Sequence, residues 1–376
     1  MQRFIMFCLV SFLFGAANLY AATPHEESPC CTALDLHALT TLDALIPKLL
    51  DKQVVFVGES HDRYADHLAQ LEIIRRIHLV HPDLAIAMEL FSQPYQPVLD
   101  DYVAGAIDEK SMLKRTQFFQ ATHFDYRLFR PILRFAHDNH IPILALNVPD
   151  EISHKVALGG FASLAGEERK WIPAEIDREN LRYRQRVNDI YHLHPPGIFH
   201  GFENFLDAQL LWDEGMASRA AEYLKNHAGI HMVVLTGGGH LIYGDGIPSR
   251  LVRRAKLSSA IVLNDTDGSI SPEMADIMLF QKAQELPPAG TLGLTTSDVN
   301  SSVRVASLVD DSAAGAAGVL VGDTIVAMDG QRLSDTADLL IAMLDKAPGD
   351  NVRLTVLRPS WSYGPERQLE ISITLR

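Results

Sequence analysis

The sequence of 376 residues predicts an α/β fold, a largely parallel sheet with helices on both faces and a helical insertion, followed by a small β-rich α+β domain. Three observations predict this organisation. Short, nearly continuous apolar runs alternate with amphipathic stretches of helical length, as in a sheet that is covered on both faces. A long helical stretch then interrupts the alternation. Finally, the break Leu286-Pro287-Pro288-Ala289-Gly290 precedes a region of short strands.

The first segment has the features of a signal peptide over residues 1–21. Arg3 is basic, Phe4 to Phe14 are mostly apolar, and the small residues Ala21-Ala22 suit cleavage. We therefore expect a periplasmic or secreted protein. Membrane association remains the alternative, although no clear lipoprotein signal precedes a cysteine. Cys30 and Cys31 then lie near the mature N-terminus, where they could pair with each other, bridge two chains or remain inert.

The overall charge limits the class of partner. With a net charge of −14, the chain does not have the basic surface that nucleic-acid binding needs, so we expect no nucleic-acid partner. No Cys-x-x-Cys-His sequence occurs, which excludes a covalently attached c-type haem. A homodimer is compatible with the composition.

Five strands and four helices are predicted within an α/β domain at residues 35–265. The strands are Val54–Gly58, Leu84–Leu90, Ile141–Val148, Met232–Thr236 and Ala260–Asn264. The helices are Tyr64–His81, Leu128–Asn139 with Pro131 in its first turn, a charge-rich helix at Ala174–Val187, and a long helix at Gly201–Asn226.

Two copies of a short glycine-histidine motif each follow an apolar strand. Gly58-Glu59-Ser60-His61 follows the first predicted strand, and Gly237-Gly238-Gly239-His240 follows the fourth. Because parallel strands end at one edge of a sheet, where such folds place their sites, we expect both turns to line one cleft. Glycine permits the tight turn, and the histidine is a candidate ligand or proton carrier.

Carboxylates accompany these histidines. Glu59 precedes His61 by two residues, and Glu89 ends the second predicted strand. The set Glu59, His61, Glu89 and His240 could hold a divalent metal such as Zn or Mn, or act as an acid/base group without metal. Histidines that only cap strand ends are the third interpretation. With a metal, the set would be catalytic in a metal-dependent hydrolase.

Several spaced blocks resemble the ChaN family, which shares a superfamily with the Tiki metalloproteases and the erythromycin esterases. The resemblance covers residues 37–265. Its blocks are Gly58-Glu59-Ser60-His61-Asp62, Met88-Glu89-Leu90, Ala145-Leu146-Asn147-Val148-Pro149, Ala208-Gln209-Leu210-Leu211-Trp212-Asp213-Glu214-Gly215-Met216-Ala217, and Gly237-Gly238-Gly239-His240 with Gly246-Ile247-Pro248-Ser249-Arg250. It implies an exported haem-binding protein of iron uptake, and it leaves the metal-dependent hydrolase or protease as the alternative.

Haem binding requires an axial donor and partners for the propionates. The candidates near the blocks of the resemblance are His61, Arg63, Tyr64, Tyr126, His240 and Tyr243. On the helix before the second motif, Asp213 could orient a histidine or pair with Arg250.

The residues after a linker at 266–290 resemble the bacterial PDZ domain, over 291–376. The resemblance rests on the small-residue run from Ser312 to Gly318, on Gly322-Asp323-Thr324-Ile325 and on Asp329-Gly330, with a helix predicted at Thr336–Lys346. It implies that Thr291, Leu292, Gly293 and Leu294 bind the carboxylate of a protein C-terminus. A PDZ fold retained only for packing or dimerisation is the alternative.

Overall fold

A computed structural model describes residues 37, 39–195, 197–265, 270–299, 301–359 and 365–376. The described residues form two compact units, one that runs up to Ala106 and continues over Leu128–Gln284, and one made of Ile107–Arg127 and Glu285–Arg376. The predicted signal peptide and the two adjacent cysteines lie outside the described residues. In the part of the chain that is described, no helix is long and apolar enough to cross a membrane.

The first unit is built on a six-stranded parallel sheet of order β3-β2-β4-β1-β5-β6. Its strands are β1 (Val54–Glu59), β2 (Leu84–Ser92), β3 (Ile143–Asn147), β4 (His231–Gly237), β5 (Ser259–Asn264) and β6 (Ile277–Leu279). The five predicted strands are confirmed to within two residues at each end. The sixth strand lies inside the stretch 266–290 that the sequence predicts as a linker. At three residues it is too short for a periodic pattern to show.

Helices connect and cover these strands. They are α1 (Leu42–Leu50), α2 (Tyr64–Val80), α3 (Gln96–Val103), α6 (Arg130–Asp138), α7 (Asp150–Gly159), α8 (Leu181–Leu193), α9 (Phe202–Asn226) and α10 (Ile247–Ala255). On β1, Val54 and Phe56 belong to a core cluster that includes residues of α9 and α10. The alternate residues Val55 and Val57 are also buried, and α2 packs against the same strand. The sheet is therefore covered on both faces, as predicted.

One predicted helix lies at a different position. The charge-rich helix expected at Ala174–Val187 is α8, which begins only at Leu181. The reason is local, because the side chain of Asn180 accepts a hydrogen bond from the backbone N–H of Tyr183 at 3.0 Å and caps the helix there.

The second unit contains an antiparallel sheet of order β12-β11-β9-β8-β7, with β10 paired to β9. Its strands are β7 (Leu294–Asp298), β8 (Val303–Leu308), β9 (Thr324–Met328), β10 (Gln331–Arg332), β11 (Asn351–Arg358) and β12 (Arg367–Thr374). Its helices are α11 (Ala313–Ala316) and α12 (Thr336–Met343), together with α4 (Glu109–Arg115) and α5 (Phe118–Ala121) from the segment Ile107–Arg127. The predicted C-terminal helix is confirmed, although it ends at Met343.

Candidate functional site

The two glycine-histidine turns leave the sheet side by side. Strands β1 and β4 are parallel neighbours, and Glu59 is the register partner of Gly237. The close approach explains one of the glycines, because a Cβ at Gly58 would lie 2.7 Å from Cδ2 of Leu263 and 3.1 Å from Cα of Gly238. The structure thus brings together the two turns that the sequence predicts to share an edge.

The first turn carries a carboxylate-imidazole pair. Oε1 of Glu59 lies 2.7 Å from Nδ1 of His61. Oε2 of Glu59 accepts a hydrogen bond from Nε2 of Gln70 at 2.7 Å. Gln70 belongs to α2, as does His67, which contacts both Gln70 and the backbone oxygen of His61. A layer of α2 residues therefore holds Glu59 and His61 in place.

The second turn carries a longer chain of charges. Nδ1 of His240 lies 2.6 Å from Oδ1 of Asp213 on α9. Nε2 of His240 lies 3.5 Å from Oε1 of Glu89, at the end of β2. The other oxygen of Glu89 accepts a hydrogen bond from the backbone N–H of Gly237 at 2.8 Å. Each histidine of the two turns is thus oriented by a carboxylate.

These contacts change the acid–base properties of the two histidines and of Glu89. Burial lowers the pKa of both histidines, but the hydrogen bond that His61 donates to Glu59 raises the pKa of His61 to about 9, and the charges of Glu89 and Asp213 raise the pKa of His240 to about 10. Burial raises the pKa of Glu89, yet the charge and hydrogen bond of His240 lower it to about 2. Each histidine is thus paired with one or two carboxylates that favour its imidazolium form.

A set of basic side chains on α8 and α10 positions the second turn. Arg186 of α8 donates a hydrogen bond to the backbone oxygen of Gly239 at 2.9 Å and forms an ion pair with Asp245. Buried Arg250 of α10 donates to the backbone oxygens of Asp245 and Gly246. Sequence reasoning missed Arg186, because arginine in a charge-rich helix carries no signal of the turn that it contacts.

Sequence reasoning also missed the supporting residues of the first turn. His67 and Gln70 are three positions apart on α2, a spacing that places both side chains on one helix face. The sequence signal that could have indicated them is a pair of polar residues on one face of the helix that directly follows a glycine-histidine turn. Asp213, which the sequence proposes to orient a histidine, does contact His240.

The residues predicted to bind haem do not all belong to the same unit of the chain. Tyr64 begins α2 and Tyr243 follows the second turn, and both are partly buried. Each tyrosine comes three residues after a motif histidine, so that both copies extend to G-x-x-H-x-x-Y. Arg63 donates to the backbone oxygen of Asp265 and lies 3.5 Å from Asp66. Tyr126 belongs to the second unit, where its hydroxyl donates to Glu109 at 2.8 Å.

The side chains available as ligands can be compared with the needs of two kinds of bound metal, a bare ion and haem iron. A bare ion such as Zn is held by three or four protein donors. Among the described residues, no group of three or more His, Cys, Asp or Glu side chains could hold a metal ion. The predicted Glu59, His61, Glu89 and His240 metal site is therefore unsupported, since these groups pair with one another. Haem iron needs only one or two axial donors from the protein, and the tyrosines that follow the two motif histidines fit that requirement.

The predicted carboxylate-binding loop lies in the second unit, next to the free edge of the sheet. Gly293 has φ of 68°, and β7 follows directly after it. Within the described residues, the backbone N–H groups of Leu292 and Gly293 have no acceptor. The loop thus places two N–H groups that have no acceptor in the described structure beside an edge strand that can pair with a further strand.

Two family models match the chain. A model described as "Haem-binding uptake, Tiki superfamily, ChaN" matches residues 45–251, and a PDZ domain model matches residues 290–374. The first covers strands β1 to β4 and both glycine-histidine turns, whereas β5 and β6 lie beyond its last residue.

Individual proteins are similar to parts of the chain. A structure described as cofacial haem binding to ChaN of Campylobacter jejuni is 15% identical, with a TM-score of 0.51, and the match covers 63% of this chain and 91% of that one. At this identity the likeness shows the fold. The PDZ domain of a carboxy-terminal protease from Vibrio cholerae, in complex with peptide, is 18% identical over 23% of this chain and 93% of that chain, with a TM-score of 0.20.

One curated relative matches at higher identity but over a limited length. The periplasmic pH-dependent serine endoprotease DegQ of Escherichia coli (strain K12) is 27% identical over 177 residues. The match covers 46% of this chain and only 35% of the protease.

Proposed function

The chain belongs to the haem-binding uptake family ChaN of the Tiki superfamily, and on that premise we propose that it binds haem at the sheet edge where its two glycine-histidine turns meet. One observation carries the proposal, namely the register pairing of Glu59 with Gly237, which puts both G-x-x-H-x-x-Y copies at neighbouring strand ends. When bound, haem would supply an iron centre that the protein holds for storage or transfer.

The residues of the two turns have different roles in this proposal. Nδ1 of each histidine is already paired with a carboxylate, at 2.7 Å from Glu59 for His61 and at 2.6 Å from Asp213 for His240, and these contacts favour the protonated imidazole, which has no lone pair for iron. We therefore assign His61 and His240 to the propionate carboxylates, which cationic donors recognise. Tyr64 and Tyr243 are left as the axial donors, because a phenolate suits ferric haem.

Titration of the mature full-length chain with haemin tests the proposal. We expect a saturable change of the Soret band, and a change that does not saturate would refute haem binding. Tyr64→Phe and Tyr243→Phe should each alter the spectrum if the residue is a ligand. Tyr223→Phe is the matched control, because Tyr223 stacks on His227 at 4.0 Å on α9, away from both turns.

The PDZ domain supports a second part of the proposal, capture of a protein C-terminus. The N–H groups of Leu292 and Gly293 would bind the terminal carboxylate, and the peptide would pair with β7. Binding of a peptide library with free or amidated C-termini measures this. Equal affinity for both forms would refute carboxylate capture.

The N-terminal segment supports export of this protein. The predicted periplasmic or secreted location and the homodimer stay predictions, which fractionation of cells and sedimentation of the purified chain would measure.

A further inference from the structure

Helix α12 lies beside the strand that would accept a peptide. Oγ1 of Thr336, at the start of α12, lies 2.9 Å from Oγ1 of Thr296 on β7. The backbone N–H and the hydroxyl of Thr336 both donate to Oδ1 of Asp298, at 2.8 and 2.7 Å. The first turn of α12 is therefore tied to β7, and its position sets one wall of the peptide groove.

The helix buries two separate faces. Leu339 belongs to the apolar core of the PDZ domain, whereas Leu340 is 40% exposed. Ala337 and Ile341, four residues apart on one side of the helix, are 2% and 8% exposed. Neither is a member of the core cluster formed by the described PDZ residues. Something other than that core therefore covers this second face.

The segment Ile107–Arg127 provides the cover. Its helices α4 and α5 both pack against α12. Nζ of Lys114 on α4 lies 2.6 Å from Oδ1 of Asp338 and 3.4 Å from Oδ2 of Asp335, the cap residue of α12. At the other end of the segment, Arg127 donates to the backbone oxygen of Pro287 at 2.7 Å. The segment is thus held to α12 through α4, and to the chain just before the PDZ domain through Arg127 at its C-terminal end.

The position of this segment in the chain is unexpected. It lies within the range 45–251 that the haem-binding family model matches, yet it forms one compact unit with residues Glu285–Arg376. The chain enters this unit after Ala106, leaves it at Leu128 and returns only at Glu285.

We infer that the segment Ile107–Arg127 is an internal support of the peptide groove, in which Lys114 holds the first turn of α12 and thereby sets the affinity for peptide. The inference rests on the proposed peptide capture for its consequence, but the support itself can be measured without peptide. A helix that is held on its outer face keeps the groove at one width. Release of the segment would let α12 move away from β7 and would weaken binding.

Hydrogen exchange of the full-length chain, followed by mass spectrometry, tests the support. Lys114→Glu places a third carboxylate beside Asp335 and Asp338, so exchange of the α12 amides should become about 3- to 10-fold faster. Lys110→Glu is the matched control, because Lys110 is an exposed residue one turn earlier on the same helix and the substitution changes the net charge equally. Equal exchange of α12 in both variants would overturn the inference.

A second variant and a second readout separate the outcomes. Lys114→Met keeps the apolar part of the side chain and adds no repulsion, so it still tests the support if Lys114→Glu does not fold. Hydrogen exchange of the α12 amides should be accelerated less in this variant than in Lys114→Glu. Peptide affinity should fall in both Lys114 variants, and less in Lys114→Met than in Lys114→Glu. A wild-type chain that binds no peptide would refute peptide capture, while the exchange rates would still decide whether Lys114 supports α12.

Discussion

Asp213 and His240 form the shortest contact of the second turn, 2.6 Å between Oδ1 and Nδ1, and Asp213 is almost completely buried. Removing one member of a buried ion pair leaves the other charge without compensation. We therefore expect Asp213→Asn to lower the free energy of unfolding by about 3 kcal/mol, measured by chemical denaturation.

The control for this variant is Asp189→Asn. Asp189 is exposed and accepts a hydrogen bond from Gln185 on the same helix, which asparagine can also accept. The free energy of unfolding of Asp189→Asn should stay within about 0.5 kcal/mol of the wild-type value. Equal stability of the two variants would show that the Asp213 pair contributes nothing.

The histidine pairs also predict how stability depends on pH. The folded-state pKa values of His61 and His240, about 9 and about 10, lie above the usual value of 6.5. The folded protein therefore binds these protons more tightly than the unfolded chain does. Their stabilisation is complete below pH 6.5 and is lost as the pH rises through 9 and 10.

Denaturation curves from pH 6 to pH 10 measure this effect. The free energy of unfolding should fall across the alkaline half of the range, and His240→Gln should make the fall shallower. His154→Gln, a substitution of an exposed histidine on α7, should keep the wild-type slope. An unchanged slope in His240→Gln would contradict the assignment.

Gly237 leaves room for the first histidine. A Cβ at this position would lie 3.1 Å from Nε2 of His61 and 3.7 Å from Oε2 of Glu89. Gly237→Ala should displace the imidazole, cost about 1 to 3 kcal/mol of stability and weaken haemin binding in the Soret titration. At Gly238 the nearest atoms would be 3.8 Å away, so Gly238→Ala should bind haemin as wild type does. Similar weakening in both would argue against a specific role for the space at Gly237.

The carboxylate-binding loop contains a glycine that combines strain with a close contact. Gly293 has φ of 68°, and a Cβ there would lie 2.6 Å from Cβ of Ser312. Gly293→Ala should abolish binding of C-terminal peptides. Gly322→Ala separates the two effects, because Gly322 has φ of 91° with no atom within 4 Å of the added Cβ. It should lose about 1 kcal/mol of stability and retain peptide binding; loss of binding in both variants would assign the effect to backbone strain alone.

Much of the fold could be predicted because its signals are local. The apolar run Val54–Gly58 and the spacing of Leu68, Leu71 and Ile74 specify a strand and a helix without any distant residue. The sequence missed β6 and misplaced α8 because a three-residue strand and a capped helix in a charged region have weak periodicity. The assignment of α4 and α5 to the second unit has no local signal at all.

The candidate site also contains some residues that the sequence could predict and others that it could not. Both glycine-histidine turns, Glu59 and Glu89 could be found from residue type and position at strand ends. Their prediction as ligands of a bare metal ion is unsupported, because each carboxylate has an imidazole as its partner. The sequence does not show this pairing. The supporting residue Arg186 could be identified only from its contacts.

By itself the sequence determined the parallel sheet and the two turns that end its strands, since apolar periodicity and glycine turns act over a few residues, and its resemblance to a known family identified the C-terminal PDZ domain. Only the tertiary structure decided which groups pair. Asp213 and His240 are 27 residues apart, Glu89 and Gly237 are 148 apart, and Lys114 and Asp338 are 224 apart. Such contacts depend on how strands and helices are stacked, and a carboxylate has the same local sequence signal whether it meets a metal, an imidazole or a lysine.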